Sequence, residues 1–149
     1  MGKIGNRWLV RSARKGGIMT RREIREQIFQ MLFRIEFHKE DEMPEQLQLF
    51  FEAIGQIEEG DQNYMEQKYS EIVKKLEEID DGINQIAKGW QTSRMSKVDL
   101  TIIRLAVYEL RYEEEIPVGV AINEAVEIAK KYGGEDSPSF INGILAKLA

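Results

Sequence analysis

The sequence predicts an all-α protein with about seven helices. Three observations favour this class: apolar residues recur every three or four positions, helix-capping signals separate the apolar segments, and no alternating strand pattern extends beyond a few residues. The chain has 149 residues and a hydrophobic content of 42%. These values suffice for one domain, or for two small subdomains that share a core.

The first helix is expected to begin after Thr20 and to run to about Phe37. Thr20 and Glu23 have the spacing of a capping box, in which each side chain accepts a hydrogen bond from the backbone of the other residue. The apolar positions that follow fall on one face of this helix: Ile24, Ile28, Met31, Leu32 and Ile35. A polar, proline-containing link at residues 39–45 leads to a second helix that ends near Gly60.

A third helix is expected from Asp61, which can serve as its cap. The sequence DDG at residues 80–82 predicts a break or bend, and Gly89 ends the segment that follows. Ser96 can cap the next helix, in which apolar residues leave little polar face. This helix is therefore expected to be central and buried from several sides.

Two further helices are expected near the C-terminus. Pro117 precedes the first of them, and a pair of glycines closes it. Ser137 offers an N-cap for the last helix, and Pro138 suits its first position because no helical hydrogen bond needs an N–H there.

The net charge of −5 argues by itself against a nucleic-acid-binding protein. The charge is unevenly distributed, however, because residues 1–18 contain five basic side chains and no acidic ones. Residues 19–149 then hold 16 basic and 26 acidic side chains, which is a net charge of −10. An RNA contact on this acidic body must use a local basic patch, and binding should be weak without a partner.

Residues 1–18 are interpreted as a disordered basic leader or an extension, and residues 19–149 as the folded domain. A basic arm that helps to hold RNA is the alternative interpretation of the leader. No apolar run approaches the roughly 20 residues that a membrane span needs. The absence of cysteine favours a reducing, cytoplasmic compartment.

Catalysis and metal binding have little support in the sequence. His38 is the only histidine, and no serine or cysteine nucleophile accompanies it in a recognised motif. No metal-ligand spacing occurs, and the glycines of KKYGGEDS close a helix instead of opening one around a phosphate. We therefore expect a protein that is not an enzyme and has no metal or cofactor.

The first helix carries the pattern that most favours nucleic-acid binding. Arg22 and Arg25 share its second face with Phe29 and Phe33. Guanidinium groups bind phosphates and aromatic rings stack on unpaired bases, so this combination suits single-stranded RNA. In the alternative interpretation, both phenylalanines pack beneath a neighbouring helix and the arginines are ordinary solvated charges.

A second aromatic position lies at the start of the last helix. Phe140 lies roughly 80° from the centre of the apolar stripe there, beside Asn142, so it could stack on a base or pack at the edge of the core. Lys130 and Lys131 border this patch and could contact phosphates. Asp99, the third residue of its helix, most simply complements the helix dipole.

Three blocks of the chain, in order, resemble the NusB family of bacterial transcription antitermination factors. The blocks are TRREIREQIFQMLF at residues 20–33, KVDLTIIRLAVYEL at residues 97–110, and residues 117–149, which are the most specific. The resemblance implies two small helical bundles packed across each other, with subdomains at about residues 19–77 and 78–149. It also implies an RNA-binding antitermination factor.

By resemblance, the protein would pair with NusE, a ribosomal small-subunit protein, and bind boxA-type RNA in the leaders of ribosomal RNA operons. It would act on the transcription elongation complex in the cytoplasm, and a homodimer could cover its RNA-binding face. The alternative is a structural or RNA-binding module related to the N-terminal domain of RNA cytosine methyltransferases, without catalytic activity of its own.

The resemblance also implies roles for particular residues. The RNA contacts would be Arg21, Arg22, Arg25, Phe29, Phe33, Lys130, Lys131, Phe140 and Asn142. Asp99 would contact NusE, Trp90 would fill the junction between the subdomains, and Arg94 would belong to the same framework. Asp136 is expected to accept backbone N–H groups at the start of the last helix.

Overall fold

The structure is a computed structural model that describes residues 19–149. These residues form seven α-helices and no strand, which confirms the predicted all-α class. The helices are α1 (Arg21–Phe33), α2 (Met43–Ile54), α3 (Glu59–Lys74), α4 (Leu76–Ile86), α5 (Lys97–Tyr112), α6 (Val118–Tyr132) and α7 (Ser137–Leu148). The basic leader lies outside the described residues.

The chain divides into two compact units, of which the first extends to Glu71 and the second runs from Ile72 to Ala149. In the first unit, α1 buries its apolar face, which includes Ile28 and Met31. The 3₁₀ turn that follows α1 packs against α2, where Cζ of Arg34 lies 4.7 Å from the centre of the Phe50 ring.

The second unit packs around α5, as its nearly continuous apolar pattern predicts. This helix contacts α4, α6 and α7, and α6 and α7 also pack on each other. Nine of the 16 residues of α5 are buried, so no broad face of the helix is left for solvent.

Several helix boundaries differ from the prediction. α2 ends at Ile54 and not near Gly60. α1 ends earlier than expected, at Phe33, and the chain continues as a 3₁₀ turn. α3 begins at Glu59, so Asp61 lies buried inside its first turn and does not precede it as a cap. The break between α3 and α4 falls at Lys75, whereas residues 80–82 lie within α4.

Contacts with α5 explain why α4 continues through these three residues. The Arg104 guanidinium donates two hydrogen bonds to the Asp80 carboxylate, at 2.9 and 2.7 Å. Gly82 leaves room for the Arg111 guanidinium, which would collide with a Cβ at this position. Residues that are typical of a turn therefore serve here as contacts between two helices.

Candidate nucleic-acid interface

A capping box fixes the start of α1 and places two arginines in its first turn. The backbone N–H of Thr20 donates to Glu23 Oε1 at 2.9 Å, and that of Glu23 donates to Thr20 Oγ1 at 3.0 Å. This confirms the predicted cap. Because a helix N-terminus attracts anions, Arg21 and Arg22 add positive charge at a place that already favours phosphate.

The accessible part of α1 combines a cation with a column of rings. Arg22 is exposed, whereas Arg21 is half-buried with its Nε and Nη2 shielded from solvent. The half-buried Phe33 ring is nearly parallel to the Phe29 ring at 5.8 Å and meets the Phe37 ring edge to face at 5.0 Å. Since Phe37 is 57% exposed, the column leads from the core to solvent.

Two residues predicted on the outer face of α1 are buried instead. Phe29 is 2% exposed and Arg25 is 4% exposed. The prediction was wrong because the buried side chains of α1 cover roughly 160° of the helix circumference, whereas the apolar stripe alone covers about 100°. The alternative interpretation, in which the phenylalanine packs inside the protein, therefore holds for Phe29. Arg22 and Phe33 lie at the border of the buried arc of α1.

In the second unit, Phe140 contacts Trp90. The two ring centres are 5.2 Å apart and the planes are inclined by 70°, which is an edge-to-face pair. Phe140 is half-buried, but Trp90 is 55% exposed, so the indole is not the buried framework group that the resemblance implied. The sequence does not predict this exposure, although it shows that residues 82–98 contain three basic and no acidic side chains.

The remaining residues of this unit that were predicted to contact RNA are all exposed. Asn142 lies on α7, and Lys130 and Lys131 lie in the last turn of α6. Lys130 Nζ is 3.1 Å from the Glu127 carboxylate, and Lys131 Nζ is 5.5 Å from the centre of the Tyr132 ring. Both lysines therefore offer positive charge to solvent, although the charge of Lys130 is partly compensated.

The connection between α6 and α7 differs from the predicted one. Ser137 is the first residue of α7, and its hydroxyl accepts a hydrogen bond from the Gly134 N–H at 3.0 Å. Asp136 occupies the cap position, but its carboxylate makes no capping hydrogen bond. The serine hydroxyl, and not the expected carboxylate, therefore orders this turn.

Asp99 lies in the first turn of α5, where the predicted serine cap is confirmed. The Asp99 N–H donates to Ser96 Oγ at 3.1 Å. Oδ1 of Asp99 is shielded from solvent and accepts no hydrogen bond from any residue in the range 19–149. The carboxylate complements the helix dipole.

No catalytic constellation or metal cluster emerges among the described residues. His38 Nδ1 lies 3.7 Å from Glu42 Oε1, in a solvent-accessible contact between two residues of the connection that leads to α2. Within residues 19–149, no three histidine, aspartate or glutamate side chains are grouped so that they could hold a metal ion. None of the helices in this range is long and apolar enough to cross a membrane.

Comparison with known sequences agrees with the predicted family. The model of the NusB family matches residues 22–149. A protein of Lachnoclostridium phytofermentans named transcription antitermination protein NusB is 52% identical over 130 residues, which make up 87% of this chain and 98% of that protein. This relative is a transcription protein, and together with the family match it confirms that the chain is not an enzyme.

Solved structures share the fold. The structure of T. maritima NusB matches with a TM-score of 0.77 and 36% identity, over 89% of this chain and 92% of that chain. A crystal structure of the antitermination factors NusB and NusE in complex with dsRNA matches with a TM-score of 0.75 and 26% identity, over 86% of this chain and 94% of that chain. Since the family model spans most of the sequence and the relative shares half of its residues, the chain belongs to the NusB family.

Proposed function

We propose that the chain is a non-catalytic, RNA-binding transcription antitermination factor that pairs with NusE and binds boxA-type RNA in the leaders of ribosomal RNA operons. Bound there, it would join the transcription elongation complex in the cytoplasm. Membership of the NusB family supports this proposal. The solved complex of NusB and NusE with dsRNA supports it further, because that NusB has the same fold.

The observation that carries the proposal is the accessible edge of α1. An exposed guanidinium, that of Arg22, and a half-buried ring, that of Phe33, border the buried arc of a helix whose N-terminus attracts anions. Guanidinium groups bind phosphates in a bidentate geometry, and an aromatic face accepts an unpaired base. Together these groups can hold both the backbone and a base of one RNA strand.

Each residue of the first unit takes a role that follows from its exposure. Arg22 contacts phosphate, and Arg21 contributes through the part of its guanidinium that remains accessible. Phe33 stacks on a base. Arg25 and Phe29 are buried, so they support the site from inside, and Phe29 does so through its stacked contact with Phe33.

The second unit supplies further contacts in the proposal. Phe140 stacks on another base, and the Asn142 amide can hydrogen-bond to a base edge. Lys130 and Lys131 attract the RNA backbone without reading its sequence. Asp99, in the first turn of α5, is assigned to the NusE contact because the chain belongs to the NusB family.

The acidic body makes a partner important. With a net charge of −10 over residues 19–149, this part of the chain repels RNA at long range. NusE would add both contacts and positive charge, so the pair should bind RNA more tightly than the chain alone. Without RNA, self-association would cover the same face, and RNA binding should then dissociate the homodimer.

An Arg22→Ala variant tests the phosphate contact on α1. The anisotropy of a labelled boxA-type RNA is measured with and without NusE at several salt concentrations. We expect weaker binding and a salt-dependence slope that is shallower by about 1, which is the effect of losing one phosphate contact.

Lys39→Ala is the matched control, since Lys39 is an exposed cation outside α1. It should leave both the affinity and the slope unchanged. An equal loss of RNA affinity in Arg22→Ala and Lys39→Ala would show a general effect of charge and would contradict a phosphate-binding site on α1. Failure of the unmodified chain to bind RNA even with NusE would contradict the proposed function itself.

A further inference from the structure

Trp90 presents a large aromatic surface to solvent. Its side chain is 55% exposed, although an indole normally gains stability from burial. The ring contacts Phe140 edge to face at 5.2 Å and 70°. In an edge-to-face pair neither ring covers more than one face of the other, so Phe140 leaves at least one face of the exposed indole uncovered.

The segment that carries Trp90 is held in place by hydrogen bonds. Asn84 Nδ2 donates to Thr92 Oγ1 at 3.2 Å, and the Thr92 N–H donates to Asn84 Oδ1 at 2.8 Å. Gln91 Nε2 donates to the Asn84 carbonyl at 3.3 Å, and the Trp90 N–H donates to the Ala87 carbonyl at 2.9 Å. The segment that carries the exposed indole is therefore already ordered, so ligand binding there loses less conformational entropy.

The charge around Trp90 differs from that of the rest of the folded chain. Residues 82–98 contain Lys88, Arg94 and Lys97 and no acidic side chain, whereas residues 19–149 together carry a net charge of −10. Lys88 and Arg94 are exposed. An exposed indole between cationic side chains is the combination that binds single-stranded nucleic acid, through base stacking and phosphate attraction.

We propose that Trp90 is an RNA-binding residue that stacks on a base of the single-stranded RNA, beside the base held by Phe140, while Lys88 and Arg94 attract the adjoining phosphates. This inference rests on the proposed RNA-binding function and assigns Trp90 a role different from the framework role that the resemblance implied. The inclination of the two rings has a consequence for the ligand. Two bases that stack on rings inclined by 70° cannot stack on each other, so the pair selects a strand with splayed bases over a continuous duplex.

Tryptophan emission reports this contact directly. Trp8 and Trp90 are the two tryptophans of the chain, so a Trp8→Phe variant of the full chain leaves Trp90 as its sole tryptophan. This variant is titrated with single-stranded boxA-type RNA in the presence of NusE, whose own emission is subtracted. We expect Trp90 emission to be quenched in parallel with the anisotropy change of labelled RNA. RNA binding that leaves Trp90 emission unchanged overturns the inference.

Substitutions give a second readout. Trp90→Ala should weaken RNA binding by about 5-fold to 150-fold, the range for losing one base–aromatic stack, and Trp90→Phe should retain most of the affinity. Val118→Ala, which shortens another half-exposed apolar side chain of the same unit, is the matched control and should bind as the unmodified chain does. Helix content by circular dichroism should be unchanged in all three variants.

Abasic RNA locates the stacked base. Removing one base at a time should identify a position whose loss weakens binding to the unmodified chain but has no further effect on Trp90→Ala. If abasic penalties are the same in both proteins at every position, Trp90 does not stack on a base.

The outcomes separate this inference from the function on which it rests. If Arg22→Ala weakens RNA binding and Trp90→Ala does not, the proposed function stands and the role of Trp90 is overturned. If Trp90→Ala instead impairs NusE binding or self-association at unchanged RNA affinity, Trp90 belongs to a protein interface and the inference is overturned. Absence of RNA binding by the unmodified chain with NusE overturns both proposals.

Discussion

Phe29 and Phe33 lie one helical turn apart on α1 and share a stacked contact, yet their surroundings differ. Phe29 is almost completely buried, whereas Phe33 is half-buried and leads to the exposed Phe37. Spacing along the helix could not separate them, because the two residues have the same type and nearly the same angular position. Packing by the rest of the protein decides which ring remains accessible.

This difference in burial predicts that alanine substitution affects mainly stability at Phe29 and mainly RNA binding at Phe33. Phe29→Ala should lower the free energy of unfolding by about 3–5 kcal/mol, because it leaves a cavity in the core. Phe33→Ala should cost less stability and should weaken RNA binding more. Urea unfolding followed by circular dichroism measures the first quantity, and RNA anisotropy measures the second. Equal stability losses, or RNA binding by Phe33→Ala that matches the unmodified chain, would argue against the assignment.

Tyr112 allows a test of residue electrostatics. Its phenol donates a hydrogen bond to the Glu78 carboxylate, and this bond, together with burial and the Glu78 charge, raises the pKa of Tyr112 above the ordinary value of 10.0. Because the folded-state pKa is raised, the contribution of this proton to stability is complete below the unfolded-state pKa. It is lost as the pH rises through the folded-state pKa.

Absorbance titration of the phenols in the unmodified chain and in Tyr112→Phe should therefore differ by one group that ionises above its ordinary range. Glu78→Gln should move that group back towards the ordinary pKa, since the carboxylate charge is removed. If the phenol that is absent from Tyr112→Phe ionises at or below pH 10.0 in the unmodified chain, the assigned hydrogen bond is refuted.

At the scale of elements, helix identities follow from the sequence and some boundaries do not. Side chains that accept hydrogen bonds from their own helix, such as Thr20 and Ser96, mark helix starts correctly because the interaction is local. The DDG sequence at residues 80–82 fails as a break signal because its side chain and backbone contacts reach α5, which lies far away in the sequence. Local propensity cannot anticipate such a partner.

Asp80 and Asp81 offer a matched test of that contact. Asp80 is half-buried and bonded to Arg104, whereas its neighbour Asp81 is exposed. Asp80→Ala should lower the free energy of unfolding by about 2 kcal/mol, because it removes hydrogen bonds between charged groups. Asp81→Ala should change it by no more than about 0.5 kcal/mol. Thermal or urea unfolding that gives both variants the same stability would contradict the role of Asp80.

For the whole molecule, the sequence predicts which residues are candidates for an RNA contact better than it predicts which of them are accessible. The arginines of the first helical turn and the aromatic position at Phe140 can be chosen from residue type and helical spacing. The burial of Arg25 and the exposure of Trp90 cannot, because both depend on how separate helices pack. Net charge is also a poor guide to RNA binding, because the acidic total conceals a stretch without acidic residues at positions 82–98.

The central claim is that RNA contacts the accessible edge of α1 and the start of α7. Photo-crosslinking tests it most directly, with a boxA-type RNA that carries photoreactive thiouridine and is bound to the chain together with NusE. Mass spectrometry of the crosslinked peptides should place the RNA on the segment that contains Arg22 and Phe33, and on the segment that contains Phe140. Crosslinks of bound RNA that fall only outside these two helices would contradict the claim.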